Sequence, residues 1–219
     1  MTIAVLTGDL VGSTKLSDTA RAESFAALDA AARQISSWQA HDACLTRTRG
    51  DGWQLILTDT SLMLRAVVLI AASLRALGKA HATRIAIGTG PEPAPDVTDL
   101  NLADSGAFVR SGRLLDTQDT LFAATGADAL TPVLPLLEHI VTGWTTAQAR
   151  TVAAVAVRPT PTHAQIAQSF DVSRQAVDQS LKSAGWPAIS QSLQTLEAQG
   201  DSPASPHPQA APLAKDTAQ

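Results

Sequence analysis

The stretch AVLTGDLVGST, Ala4 to Thr14, constrains the fold more than any other part of the chain. The apolar run Ile3 to Leu6 reads as a buried strand that breaks at Gly8-Asp9 and turns through Gly12-Ser13-Thr14 toward a helix-like stretch. A strand that ends in a carboxylate ahead of a glycine turn offers a hard oxygen ligand for a divalent cation. It also offers backbone N–H groups that can receive phosphate oxygens. The same pattern more often serves a turn with a structural role alone.

The segments C-terminal to this strand set the topology. From Ser17 to Trp38, Phe25, Leu28, Ile35 and Trp38 recur at helical spacing, with Ser17 placed to cap and Asp18 in the first turn. Residues 43–58, ACLTRTRGDGWQLILT, hold two strand-like runs around Gly50-Asp51-Gly52, the pattern of a hairpin. Met63, Val67, Ile70, Leu74 and Leu77 mark a second helix that stops near Gly78, and TRIAIG from Thr83 a further strand. The prolines of Gly90 to Pro95 force a loop, before a short helix over 107–116 and a strand over 120–124. This order predicts an α+β, ferredoxin-like unit over residues 1–127, an antiparallel sheet with helices on one face.

In that arrangement the first strand lies beside the hairpin, so Asp9 and Asp51 can converge on one ion. Two carboxylates with phosphate oxygens and water suit magnesium or manganese. Asp51 can equally serve only the Asp-Gly turn.

Composition narrows the setting. Among 219 residues, 45% are hydrophobic and there is no Tyr, so aliphatic residues and Ala must fill the core. The single Cys44 excludes an intrachain disulfide and fits a reducing compartment. No signal peptide is recognisable, and the apolar stretch Leu62 to Leu77 is interrupted by Arg65 and Arg75, so a cytoplasmic chain without a membrane span is expected. A net charge of −4 argues against bulk electrostatic coating of nucleic acid but leaves room for a local basic patch. His41, His81, His139, His163 and His207 show no ligand spacing.

AVLTGDLVGST, RTRGDGWQLIL and RIAIGTGP, in this order, resemble the core motifs of the class III nucleotide cyclase catalytic domain. The resemblance implies a homodimer, metal-binding aspartates at Asp9 and Asp51, phosphate contacts from Val11 to Thr14, and Arg47 in the position that helps select a purine base. It departs at GAFVRSGRLLD. Arg110 stands where the cyclases place a transition-state Asn, and Arg113 comes one residue earlier than their Arg, a rotation of about 100 degrees on a helix. Oriented groups of this kind contribute a few kcal/mol to a transition state. Taken whole, the chain is similar to the SatD-like family, in which a cyclase-like domain is fused to a helix-turn-helix.

Residues 128–144 read as a connecting helix begun by Pro132, with a second unit over 145–198. TTAQARTVAAVAV, THAQIAQSF and SRQAVDQSLKSAGW suggest three helices, the last two joined by a tight turn at Asp171-Val172. Ile166, Ala167, Phe170, Val177 and Leu181 would face inward, Val172 would plug the turn, and Ser173 would cap the last helix. Asp171 stands where Gly is common and is tolerated if the turn is left-handed. In a major groove the outward face would be Ser173, Arg174, Gln175, Asp178, Gln179 and Lys182, with Arg and Gln suited to guanine and adenine edges and Lys182 to phosphate. This unit is barely positive, so a dimer would be needed to bind DNA well. Residues 199–219 are rich in Pro, Ala and Ser and should be disordered.

The expected function is therefore a DNA-binding regulator whose cyclase-like domain dimerises and senses a purine nucleotide with magnesium. An active purine nucleotide cyclase with a helix-turn-helix appendage is the alternative. A third reading is a degenerate domain that binds no ligand and serves only to dimerise, and the trihelical unit can equally be only a dimerisation or docking module.

Overall fold

A computed structural model describes residues 2–48, 50–96 and 99–200. It is a mixed α/β structure whose described residues form one five-stranded sheet and eight α-helices. In chain order these are β1 (Ile3–Leu10), α1 (Asp18–Ser36), β2 (Thr46–Arg47), β3 (Gly52–Leu57), α2 (Met63–Arg75), β4 (Thr83–Gly90), α3 (Gly106–Thr117) and β5 (Phe122–Thr125). Then come α4 (Leu134–Gly143), α5 (Thr146–Val155), α6 (His163–Phe170), α7 (Arg174–Ser183) and α8 (Trp186–Gly200). No described helix is long and apolar enough to cross a membrane.

The strands lie in the order β2-β3-β1-β4-β5. The first four neighbours pair antiparallel, and β5 joins β4 in parallel, so the sheet is mixed rather than antiparallel throughout. Along β1, Ala4 and Leu6 point into the core shared with α1 and α2, while Ile3 and Val5 meet Ala107 and Phe108 of α3 on the other side. Helices thus cover both faces, not one. The unbroken apolar run of β1 has this cause, since a strand buried on both sides needs no polar alternation.

Close contact of α3 with the sheet depends on Gly88. A Cβ there would lie 2.5 Å from the carbonyl oxygen of Ala107 and 2.7 Å from the nitrogen of Ser111. Beside it, the hydroxyls of Thr7 and Ser111 share a buried hydrogen bond of 2.7 Å. Ser17 caps α1 by accepting from the N–H of Ala20.

α2 is apolar almost all round because it is sandwiched between the sheet and the C-terminal helices. One contiguous core runs from Leu6 and Leu57 through Val67 and Ile70 to Trp144, Val152, Val177, Leu181 and Leu193. It crosses residues 144 and 145 without a break.

Polar ties reinforce this junction. Arg65 of α2 donates from Nε and Nη2 to Glu197 of α8 at 2.6 and 3.1 Å, and from Nη1 to the carbonyl of Ala156 at 3.1 Å. Arg75 donates to the carbonyls of Trp144 and Thr142, and Trp144 Nε1 donates to Ala184 O at 2.8 Å.

Two local expectations change. α4 starts at Leu134 with Pro135 in its first turn, instead of at Pro132. The C-terminal unit has a further helix, α8, that extends to Gly200, and residues 201–219 of the expected disordered tail lie outside the described residues.

Candidate functional site

β1 carries Asp9 between Gly52 of β3 and Arg84 of β4. Both carboxylate oxygens of Asp9 accept from Arg84, Oδ1 from Nε at 2.9 Å and Oδ2 from Nη2. Arg84 Nη1 reaches the carbonyls of Leu115 and Gln118 at 3.4 and 3.2 Å. The guanidinium therefore sits where the dipole of α3 is negative and where carbonyls lack helical partners. The hydrogen bond to Asp9, followed by the nearby charges of Asp9, Asp51 and Asp116, raises the pKa of Arg84 against the desolvation that lowers it.

The hairpin brings Asp51 to this end of the sheet, where its backbone carbonyl accepts from the N–H of Leu10 at 3.3 Å. An ion shared by Asp9 and Asp51 would have to sit beside Arg84, cation against cation. Among the described residues no group of three or more His, Cys, Asp or Glu side chains is placed to hold a metal. As they stand, both carboxylate oxygens of Asp9 are taken by Arg84.

Val11 N–H donates to Ala82 O at 2.9 Å, Gly12 is left-handed at φ 62°, and Ser13 to Lys15 form a single short 3-10 turn, with Thr14 exposed at its centre. Arg47 lies over the ring of Phe25, 4.1 Å from its centroid, and pairs with Asp29 at 3.3 Å.

Arg110 also spends its donors within the chain. Its Nε donates to Thr89 O at 2.8 Å and its Nη2 to Glu92 at 3.1 Å, while Glu92 accepts from the N–H of Ala107 at the start of α3. Gly90 and Gly106 make room for this pair. A Cβ at Gly90 would come within 2.1 Å of Arg110 Nη2, and one at Gly106 within 2.5 Å of Glu92 Oε1. Arg113 is exposed on α3. Reasoning from the sequence misses both Arg84 and Glu92. Their one signal is a basic residue near the start of TRIAIG and an acid among prolines.

The C-terminal helices bring together a different surface. Thr162 and Gln165 form a capping box at the start of α6, and Ser173 accepts from Ala176 N–H at 3.1 Å at the start of α7. Between the helices Asp171 is left-handed, at φ 53° and ψ 49°. Val172 N–H then donates to Ala167 O at 3.0 Å and Asp171 N–H to Gln168 O at 3.4 Å, a Schellman closure. Ile166, Ala167, Val177 and Leu181 are buried.

Val172 does not plug the turn. It is 47% exposed and lines a shallow groove with Ala147, Phe170 and Ala176, where Arg150 stacks 3.9 Å above the Phe170 ring. The outward face of α7 presents Arg174, Gln175, Asp178, Gln179 and Lys182. Asp178 meets Nδ1 of His163 through Oδ1 and lies 3.8 Å from Arg174 Nε through Oδ2.

No protein-family model matches the chain, and no curated protein matches it either.

Proposed function

We propose that the chain is a sequence-specific DNA-binding regulator in which α6 and α7 form a helix-turn-helix and α7 reads the major groove. One observation carries this reading: the tight left-handed turn at Asp171 sets α7 so that Val177 and Leu181 are buried while Arg174, Gln175, Gln179 and Lys182 are exposed. Long polar side chains along the exposed face of a helix suit base edges, and Lys182 suits phosphate.

The strand order β2-β3-β1-β4, with crossovers through α1 and α2, supports a ferredoxin-like reading of the sheet, and the whole then follows the SatD-like plan. In this proposal the sheet unit is the scaffold and dimerisation element, and a dimer doubles a modest charge. Nucleotide sensing is supported less well, because Asp9, Arg47 and Arg110 are each paired within the chain.

Selection from a pool of genomic fragments at low salt, followed by anisotropy titration, tests the reading. Enrichment of a common sequence is expected, with Arg174→Ala relaxing selectivity at one position by about 1–3 kcal/mol and Lys182→Ala lowering the salt slope by about one. Failure to enrich any sequence would overturn it.

A further inference from the structure

We propose that two copies of this chain associate through the groove between α4 and α8, each copy inserting Leu136 into the groove of the other. The groove forms where the turn from α7 to α8 closes on α4. Gly185 is left-handed there, at φ 75°, and a Cβ at that position would lie 3.3 Å from Cγ2 of Ile140. Buried Leu64 of α2 lines the space together with Val133, Leu137, Ile140, Ala188 and Ile189. Its volume is about 150 Å³. That falls well short of the roughly 300–1,000 Å³ of a small-molecule site, but an apolar space of about 150 Å³ accepts a group as large as benzene, and so a single leucine side chain.

Shape and charge together name a second copy as the occupant. Leu136 is 68% exposed and lines the same groove, so a protruding apolar side chain and an apolar recess lie next to each other on one surface. A two-fold contact brings a patch onto itself, and a knob beside a hole is an arrangement that such a contact fills twice. Across the 15 residues of α8 the one ionisable side chain is Glu197, which is held by Arg65 and Arg158. On α4, Glu138 accepts from the N–H of Leu121 at 3.0 Å, and His139 is exposed. The exposed residues Pro135, Pro187, Ala188 and Gln191 carry no charge. Interfaces are depleted of charge at their centre, and like charges set against each other oppose association. A chain of net charge −4 therefore meets its own copy at least cost on this face. α2 belongs to the sheet unit and α4 packs on it through Leu134 and Leu137, so the contact specifies the dimer of the proposed function. It rests on that reading for its role and not for its contacts.

The test is analytical ultracentrifugation of the full chain without DNA, over a range of concentrations and at about 0.1 M and about 1 M salt. Wild type should form a reversible dimer whose affinity changes little between the two salt levels. Leu136→Glu and Ala188→Lys should each raise the dissociation constant about a hundredfold or more, because each leaves an unpaired charge in an apolar contact. Both positions are exposed in a single copy, so the circular dichroism of each variant should match wild type. An equimolar mixture of the two variants should regain association, because one contact of the hybrid dimer is unaltered and the other sets the introduced acid against the introduced base. A wild type that stays monomeric at every concentration, its groove left to a different protein or a small apolar molecule, would overturn the inference. So would a dimer that survives Leu136→Glu, or a mixture that shows no recovery. With no DNA present, none of these outcomes bears on α7 as the reading helix, which the selection from genomic fragments tests by itself.

Discussion

Arg84 and Asp9 face each other directly across β4 and β1, and the guanidinium holds both carboxylate oxygens. The pair is partly buried and joins two strands to the C-terminal end of α3 through Leu115 and Gln118. Its partners explain the acid at the end of the first strand without any ligand.

Arg84→Ala should therefore lower stability by about 1.5–3 kcal/mol, because it strands a carboxylate and removes a donor from the end of α3. Asp9→Ala should cost less, since it leaves Arg84 with its carbonyl partners. A double-mutant cycle in urea should show a coupling above about 0.5 kcal/mol. Additive effects would mean that the two side chains act independently.

Arg65→Ala should be more damaging. Its guanidinium is almost fully enclosed and serves both Glu197 and the carbonyl of Ala156. Leaving Glu197 facing only Arg158 at 3.8 Å should cost about 3–5 kcal/mol. Calorimetry should show the sheet and the C-terminal helices of Arg65→Ala melting in separate steps, and a single step is expected for the wild type from its contiguous core.

Gly88→Ala and Gly90→Ala give a graded pair. The added methyl at Gly88 strikes backbone atoms of α3, which can yield only if the helix moves, so a loss of about 1–3 kcal/mol or more is expected. At Gly90 the obstacle is the Arg110–Glu92 pair, whose side chains can swing into solvent, and the loss in a thermal melt should be smaller.

Asp171→Gly should stabilise the protein by about 0.5–1 kcal/mol, since a left-handed backbone costs a residue with a Cβ more than it costs glycine. A raised melting temperature with unchanged circular dichroism is the expected result. A fall would show that the Asp171 side chain makes a stabilising contact of its own.

The sequence is most readable where local chemistry decides conformation. Ser17, Ser173 and the turn at Asp171 behave as their residue types require, because caps and left-handed turns are fixed within a few residues. Patterns that depend on distant partners are harder to read. The position of α3 on the second face follows from β1 being apolar at both odd and even positions, which a helix-on-one-face plan overlooks. α8 lacks a charged face to mark its period, and it begins with Trp186-Pro187, a pairing that reads as a stop before it reads as a start. Arg84 and Glu92 escape notice because cross-strand register and a folded-back loop, not spacing along the chain, bring them to Asp9 and Arg110.

The uninterrupted interior between the sheet and the C-terminal helices has a mechanical consequence. Arg65 and Arg75 tie α2 to the C-terminal helices and Trp144 is tied to Ala184 at the end of α7, so turning α7 against α2 would have to break these bonds. Whatever repositions the sheet in an assembly would re-aim the polar face of α7 by the same rotation.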